Sequence, residues 1–148
     1  MVFLHINESR AKIPDFNRYI AQGKRAFVLI YKDGCPPCME THPEWKKLKN
    51  VLNVDKDVIV ADINEKFLNS IKCIGPNKIE ITHYPTMIYI YNKGQSHEMY
   101  EGDRTVDGLV KWINHTLKTR QTGGGTRVKR RRTRHFKKSN SRTRRKRQ

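Results

Sequence analysis

The stretch Asp33-Gly34-Cys35-Pro36-Pro37-Cys38-Met39-Glu40 holds two cysteines separated by two residues. Such a pair can bind a metal, close a disulfide or exchange disulfides with another protein. The apolar, β-branched run from Phe27 to Tyr31 predicts a buried strand before it, and apolar residues at helical intervals from Met39 to Leu52 predict a helix after it. Cys35 is therefore expected at a helix N-terminus, where unpaired N–H groups and the helix dipole favour a thiolate. We interpret the pair as redox-active.

Cys-Pro-Pro-Cys between a strand and a helix resembles the active site of the thioredoxin superfamily. Three further matches follow it in order: Pro43 inside the next helix, Tyr84-Pro85-Thr86 before a strand, and Tyr100-Glu101-Gly102-Asp103-Arg104 before a closing helix. Within that superfamily, Pro43-Glu44-Trp45 and Tyr84-Pro85-Thr86 are most similar to protein disulfide isomerase domains. The resemblance covers about Val2 to Lys118 and implies a thioredoxin fold, with a central mixed β-sheet flanked by helices.

The residues themselves predict the same architecture. Asp15 is expected to cap a helix that ends at Gln22, and Asn92-Lys93-Gly94-Gln95 suits a tight turn between two strands. The remaining predicted elements are an edge strand Val2–Ile6, a strand Val58–Asp62, a short helix Glu65–Ile71, strands Met87–Tyr91 and His97–Tyr100, and a last helix from Val106. Alternating strands and helices followed by a hairpin and a helix predict an α/β three-layer sandwich.

The resemblance assigns catalysis to the two cysteines and requires no cofactor. Cys35 would attack a substrate disulfide, and Cys38 would then attack the mixed disulfide and release the product. A zinc half-site completed by Cys73 and His42 or His83 is the alternative. Zinc ligand sets normally pair two tight clusters, and the second cluster is missing here, so we expect no metal. Cys73 is expected to be a buried thiol.

The substrate-binding residues are also implied by the resemblance. The peptide bond before Pro85 is expected to be cis, and the backbone of Tyr84 to pair with an extended protein substrate. Gly34, Pro36 and His83 complete the expected substrate-binding set. The partners implied are therefore protein thiols and disulfides.

Two positions depart from the family pattern. Gly34 stands where the family usually places an aromatic residue before the first cysteine. Leu29 stands six residues before Cys35, where the family has a buried carboxylate that relays a proton for the resolving thiol. Exchange is still expected, but resolution by Cys38 should be slow unless water or another side chain takes the proton. An alternative function therefore stays open: a weakly catalytic or non-catalytic thioredoxin-fold interaction module or virion component.

The basic charge of the chain is concentrated at its C-terminus. Residues 1–118 carry 17 Lys and Arg against 14 Asp and Glu, and residues 119–148 carry 14 Lys and Arg and no acid. We therefore predict a domain at 1–118, a flexible Gly-rich linker at 119–126 and a disordered basic tail at 127–148. The tail residues expected to bind nucleic acid or another polyanion are Lys129, Arg130, Arg131, Arg132, Arg134, Lys137, Lys138, Arg144, Arg145, Lys146 and Arg147.

The tail and the apolar pattern together suggest where the protein works. Nuclear localisation is a competing use of the same basic residues. Arg/Lys/Ser/Thr tails after a glycine hinge resemble those of large nucleocytoplasmic DNA virus proteins. No apolar run exceeds the length of a strand, so we expect no membrane association and no secretion. The expected setting is the cytoplasm, the nucleus or a virion, with a monomeric protein unless it belongs to a larger particle.

Overall fold

The computed structural model describes the backbone of residues 1–133 and the side chains of residues 1–120. The chain divides between Trp112 and Ile113 into two units. The first unit is built on a five-stranded sheet of order β1-β3-β2-β4-β5. Strands β1, β3 and β2 are parallel, whereas β4 is antiparallel to β2 and β5 to β4, so the sheet is mixed as predicted. The strands are β1 Val2–Ile6, β2 Arg25–Tyr31, β3 Val58–Asn64, β4 Thr86–Tyr91 and β5 Ser96–Tyr100.

Helices cover both faces of this sheet, which confirms the three-layer prediction. Side chains alternate between the two faces along each strand. Val28 of β2 belongs to one apolar cluster with Phe16 and Ile20 on α1. Phe27 points the other way and meets the ring of Trp112 edge-on at 5.1 Å. The helices are α1 Ile13–Ala21, α2 Pro36–Lys46, α3 Leu48–Val51 and α4 Val106–Thr133, with short 3-10 helices at Glu65–Ser70 and Asn92–Gly94.

Helix α1 begins earlier than the sequence predicts. Its N-cap is Lys12, which makes no side-chain capping bond, and Asp15 lies inside the first turn. There the carboxylate forms an ion pair with Arg18 at 3.0 Å. The prediction of Asp15 as a cap was therefore wrong, because Pro14 suits the first turn of a helix and lets it start before the acid. Gly23 follows the helix with φ +93°, as expected of a C-terminal stop.

Helix α2 carries the cysteines and ends soon after its internal proline. Pro43 lies within α2, and the next helix, α3, starts at Leu48. A proline removes one backbone donor and crowds the preceding turn, so the predicted bend takes the form of a break after Lys46. Trp45 anchors this segment in the core at 1% exposure. Its indole Nε1 has no hydrogen-bond partner among the described residues.

Helix α4 begins beside α2 and continues through the predicted linker. The Val106 N–H donates to Glu44 Oε1 at 3.0 Å, which fixes the start of α4. The bounds of α4 include residues 119–126, and the flexible linker predicted there stays a prediction. Each glycine in a helix interior costs about 1 kcal/mol relative to alanine, so Gly123 to Gly125 contribute little to its stability. The tail side chains lie outside the described residues, as does the whole of residues 134–148.

Candidate active site

Cys35 occupies the N-cap position of α2. Its backbone is extended, with φ −93° and ψ 114°, and its Sγ accepts a hydrogen bond from the Cys38 N–H at 3.3 Å. Pro36 and Pro37 form the first turn of the helix and have no N–H to donate. The Cys38 amide is therefore the local donor to the Cys35 sulfur, as the sequence predicts.

The two cysteines form a disulfide but differ in their access to solvent. Cys35 is half-buried, whereas Cys38 is only 2% exposed. Another protein can therefore reach the sulfur of Cys35 and not that of Cys38. This asymmetry is what a nucleophile paired with a resolving thiol requires.

The loop before β4 faces the disulfide. The Tyr84–Pro85 peptide bond is cis, and the carbonyl oxygen of Tyr84 lies 3.9 Å from Cys35 Sγ. The Thr86 hydroxyl donates to the His83 carbonyl oxygen at 2.6 Å and so closes the loop. Pro85 is buried under this loop and His83 is exposed.

One cleft opens beside Cys38 and another beside the loop before β4. The larger, which we call the Cys38 cleft, has a volume of about 560 Å³ and is lined by Tyr31, Gly34, Cys38, Met39, His42 and Lys46, among others. The smaller, of about 280 Å³, is lined by His83, Pro85, Tyr100 and Arg104, among others. Of the predicted substrate-binding residues, Gly34 and Pro36 adjoin Cys35 in the chain, and the Tyr84 carbonyl faces its sulfur. His83 and Pro85 line the smaller cleft.

Backbone geometry explains the glycine before Cys35. Gly34 has φ +76°, a left-handed conformation that side chains other than glycine rarely adopt. A Cβ placed there would meet no atom within 4 Å, so conformation and not space requires the glycine. The neighbouring Asp33 accepts a hydrogen bond from Asn64 Nδ2 at 3.0 Å, which ties its carboxylate to the end of β3.

A buried carboxylate that the sequence analysis missed lies under this site. Asp62, on β3, is 1% exposed. Its Oδ1 is 2.5 Å from His5 Nδ1, and its Oδ2 is 2.9 Å from His42 Nε2. The signal for it was present, since Asp62 is a charged residue inside the apolar run Val58–Ile63. Buried carboxylates need such partners, and the two imidazoles supply them.

The His42 ring is held on a second side by Tyr31. The two rings stack with their centroids 4.3 Å apart. Burial, followed by the negative charge of Asp62, raises the pKa of the Tyr31 phenol. Tyr31 is therefore a neutral wall of the Cys38 cleft at physiological pH.

Cys73 lies away from this site, against the turn between β4 and β5. A Cβ on Gly94 would lie 2.9 Å from Cys73 Cβ, so the two residues are in direct contact. Burial raises the pKa of the Cys73 thiol to about 11. Among the side chains of residues 1–120, no group of three or more His, Cys, Asp and Glu is placed to hold a metal ion. Cys73 does not complete a zinc site with Cys35 and Cys38.

The sequence profile described as Thioredoxin matches residues 8–115, which is most of the chain. The chain belongs to the thioredoxin family. The described part of this thioredoxin-family chain contains no helix long and apolar enough to cross a membrane.

The most similar curated proteins include protein disulfide isomerases. The chain is 29% identical over 115 residues to the probable protein disulfide-isomerase A6 of Medicago sativa, covering 78% of this chain and 29% of that protein. It is 27% identical over 105 residues to protein disulfide-isomerase 1 of Dictyostelium discoideum, covering 70% of this chain and 28% of that one. The chain thus spans less than a third of the length of these relatives.

Solved structures show the same fold at lower identity. The J-Trx1 fragment of ERdj5 superposes with a TM-score of 0.56 at 21% identity, covering 78% of this chain and 52% of that one. The first thioredoxin domain of mouse protein disulfide-isomerase A4 gives a TM-score of 0.53 at 20% identity, covering 75% and 72%. At these identities the likeness concerns the fold alone. Together with the cysteine pair, the family supports thiol–disulfide oxidoreductase chemistry at a general level.

Proposed function

We propose that this thioredoxin domain is a thiol–disulfide oxidoreductase that exchanges the disulfides of protein substrates. The observation that carries the proposal is the placement of Cys35. Its half-buried sulfur caps the N-terminus of α2, accepts the Cys38 N–H and faces the Tyr84 carbonyl. A thiolate at that position is stabilised by the helix dipole and by the amide.

The reaction follows from the different exposure of the two sulfurs. In the reduced protein, the Cys35 thiolate attacks one sulfur of a substrate disulfide, and the other substrate sulfur leaves as a thiolate. Cys38 then attacks Cys35 Sγ in the mixed disulfide. The second substrate sulfur leaves, and Cys35 and Cys38 return to the disulfide seen in the structure. The substrate gains two electrons, and the cysteine pair loses them.

The surroundings of Cys35 suit an extended polypeptide substrate. The Tyr84 backbone lies beside the sulfur, and Gly34 has no side chain to obstruct approach from the other side. Met39 is 67% exposed on the edge of the Cys38 cleft. An exposed thioether next to the disulfide offers an adaptable apolar contact to different substrates.

Trapping tests the site assignment. Cys38→Ser should accumulate mixed disulfides with protein substrates through Cys35, because the resolving thiol is gone. Cys35→Ser should form none and should lose the reduction of a model protein disulfide. Cys73→Ser is the matched control and should behave like the unaltered chain. A Cys35→Ser variant that still reduces the substrate would refute the proposal.

The competing function is an interaction module with little or no turnover. Leu29, fully buried in β2 where the family carries a carboxylate, is the observation that favours it. Turnover of the unaltered chain decides between the two functions. A chain that forms mixed disulfides once but does not complete repeated cycles with excess dithiol would be an interaction module.

We further propose that the C-terminal tail associates the domain with nucleic acid or another polyanion. The support is the charge of the tail: the 30 residues from Thr119 to Gln148 include 14 Lys and Arg and no Asp or Glu. This proposal includes a cytoplasmic or nuclear setting. The resemblance of the tail to those of large nucleocytoplasmic DNA virus proteins is the basis for adding a viral factory or virion.

Truncation after Lys118 tests the role of the tail. The full chain should bind duplex DNA at low salt, with a log–log salt slope of about −0.9 for each phosphate neutralised. The truncated chain should lose this binding and keep its thiol chemistry. Replacing Arg130, Arg131 and Arg132 by glutamine is the matched control for charge alone and should weaken binding and flatten the slope. Equal DNA binding by the truncated and full chains would disprove the proposal.

A further inference from the structure

Resolution by Cys38 requires that its thiol lose a proton while it is buried. Only a thiolate attacks a disulfide efficiently, and Cys38 at 2% exposure has little contact with water. The position in β2 that carries a carboxylate in the family is Leu29. The structure must therefore supply a proton acceptor from another position, or the second step is slow.

The neighbouring strand supplies a carboxylate on the same face of the sheet. Leu29 and Asp62 are register partners in the parallel pair β2–β3. Directly paired residues of adjacent strands point to the same side. The Asp62 carboxylate therefore lies one strand away from the expected position, under α2. Its ion-pair distance to His42 Nε2, 2.9 Å, shows that it reaches that helix.

His42 contacts this carboxylate and lines the same cleft as the resolving thiol. It follows Cys38 by four residues on α2, so the two side chains share one face of the helix. Helical side chains lean toward the N-terminus, which directs the imidazole over the turn that contains Cys38. Both residues line the Cys38 cleft.

We propose that His42, oriented by Asp62, accepts the proton of Cys38 in the resolving step. This inference rests on the proposed oxidoreductase function. The Cys38 S–H bond breaks and its proton passes to the imidazole. The Cys38 thiolate attacks Cys35 Sγ, the Cys35–substrate S–S bond breaks, and the substrate thiolate takes up a proton from the imidazolium or from water.

The hydrogen bonds around Asp62 determine which nitrogen acts. A carboxylate only accepts hydrogen bonds, so His42 Nε2 and His5 Nδ1 both carry a proton. His42 Nδ1 is then the free acceptor. Asp62 also stabilises the imidazolium that forms, which is the usual work of the third member in a nucleophile–base–carboxylate set. Asp62 and His5 are thus positioning residues.

Each structural element next to His42 places an ionisable side chain near its imidazole. Tyr31 stacks on it from β2, and Asp62 contacts it from β3, with His5 of β1 on the far oxygen of that carboxylate. Lys46 from α2 lines the same cleft, as do Lys32 and Asp33 from the loop before the helix. Of these groups, the Asp62 carboxylate is the one hydrogen-bonded to an imidazole nitrogen of His42.

A two-phase assay tests the proposal separately from the function on which it rests. Reduced full-length chain carrying Cys73→Ser is mixed with one equivalent of an aromatic disulfide reagent that releases a coloured thiolate. The first coloured thiolate reports attack by Cys35, and the second reports resolution by Cys38. In His42→Gln, the first phase should stay within about twofold, and the second should slow about a hundredfold, a typical loss for a missing general base.

The choice of substitution separates proton transfer from packing. Glutamine at position 42 can still donate a hydrogen bond to Asp62 but cannot take a proton at neutral pH. In His42→Ala, added imidazole should restore the rate of the second phase. Without imidazole, the rate of the second phase should rise about tenfold per pH unit, because only solvent then takes the proton. Asp62→Asn should slow the second phase in part. The exposed His97→Gln is the matched control and should leave both phases unchanged.

Each failure has a distinct signature. A second phase that is unchanged in His42→Gln, or that imidazole does not restore in His42→Ala, would overturn the role of His42. An unaltered second phase in Asp62→Asn would overturn the positioning role of Asp62. A first phase in the unaltered chain no faster than that of a small free thiol would instead refute the proposed oxidoreductase function, whatever His42 does.

Discussion

The two ends of the sheet carry cysteines in opposite environments. At the end where β2 finishes, the half-buried Cys35 sulfur receives the Cys38 amide at the start of an eleven-residue helix. At the other end, Cys73 is packed against Gly94 and burial raises the pKa of its thiol to about 11. The length of the seven-residue β2 separates these ends by about 20 Å.

The contrast shows that placement decides what a thiol can do in this chain. Both ends have basic residues nearby, and at Cys73 burial raises the pKa of the thiol by more than Lys78 lowers it. Positive charge nearby is therefore not sufficient. An amide aimed at the sulfur, a helix N-terminus and access for a partner distinguish Cys35. Cys35 and Cys73 should therefore respond differently to substitution, to alkylation and to changes in their surroundings.

Removing the Cys35 thiol should affect activity far more than removing the Cys73 thiol. Cys35→Ser should lower the reduction of a protein disulfide by at least about a thousandfold, since the attacking atom is lost. Cys73→Ser should leave the rate within about twofold. The rate of disulfide reduction at fixed protein concentration measures both. A large loss in Cys73→Ser with an intact melting curve would contradict the contrast.

Alkylation rates should separate the two thiols by pH. At pH 8, a thiol with a pKa of about 11 is roughly one thousandth thiolate, so Cys73 should react about a hundredfold more slowly than a free cysteine. Because its pKa is raised, its reactivity should keep increasing up to about pH 11. Mass spectrometry of iodoacetamide-treated reduced chain measures this. The urea-unfolded chain is the control, in which Cys73 should react at the rate of an ordinary thiol.

The glycines at the two ends should tolerate alanine differently. Gly34 and Gly94 have similar positive φ values of 76° and 86°, so alanine is strained at both. Space differs, since a Cβ at Gly34 meets nothing within 4 Å and one at Gly94 meets Cys73 Cβ at 2.9 Å. Gly34→Ala should cost about 1 kcal/mol and Gly94→Ala about 2–4 kcal/mol of unfolding free energy.

Denaturant unfolding of both variants makes this comparison directly. The double variant Gly94→Ala with Cys73→Gly serves as the control, because it keeps the backbone strain at position 94 and removes the Cβ that the added methyl group meets. Its stability should exceed the value expected from adding the two single effects. Equal costs for Gly34→Ala and Gly94→Ala would show that strain alone governs both positions.

Much of the fold was predictable because its signals are local. The apolar, β-branched runs Phe27–Tyr31 and Val58–Asp62 became β2 and β3, and the Cys-Pro-Pro-Cys stretch became the start of α2. Errors came where local rules compete. Asp15 is a good cap, yet Pro14 in the first turn shifted the start of α1. Helix periodicity predicted a helix from Met39 onward without assigning its faces, and Met39 is 67% exposed.

The proton-accepting part of the site depends on a contact that no local pattern contains. Leu29 marked an absent carboxylate, and Asp62 marked an unusual charge in a buried strand. Only the parallel register of β2 and β3 places these two residues side by side. His42, on α2 and 20 residues before Asp62 in the chain, contacts the Asp62 carboxylate. The sequence alone therefore identifies each of these residues but does not predict that they lie close together.

Trp45 gives the helix that carries the cysteines a built-in optical signal. Its indole is 1% exposed, and its Nε1 has no hydrogen-bond partner among the described residues. An indole in such a dry, unpaired setting fluoresces at short wavelength, and its emission moves to the red once water reaches it. The other tryptophan, Trp112, stacks on Tyr100 at 4.5 Å in a different environment. The fluorescence emission of Trp45 can therefore report changes around α2, without an added label, when the Cys35–Cys38 disulfide is reduced or formed.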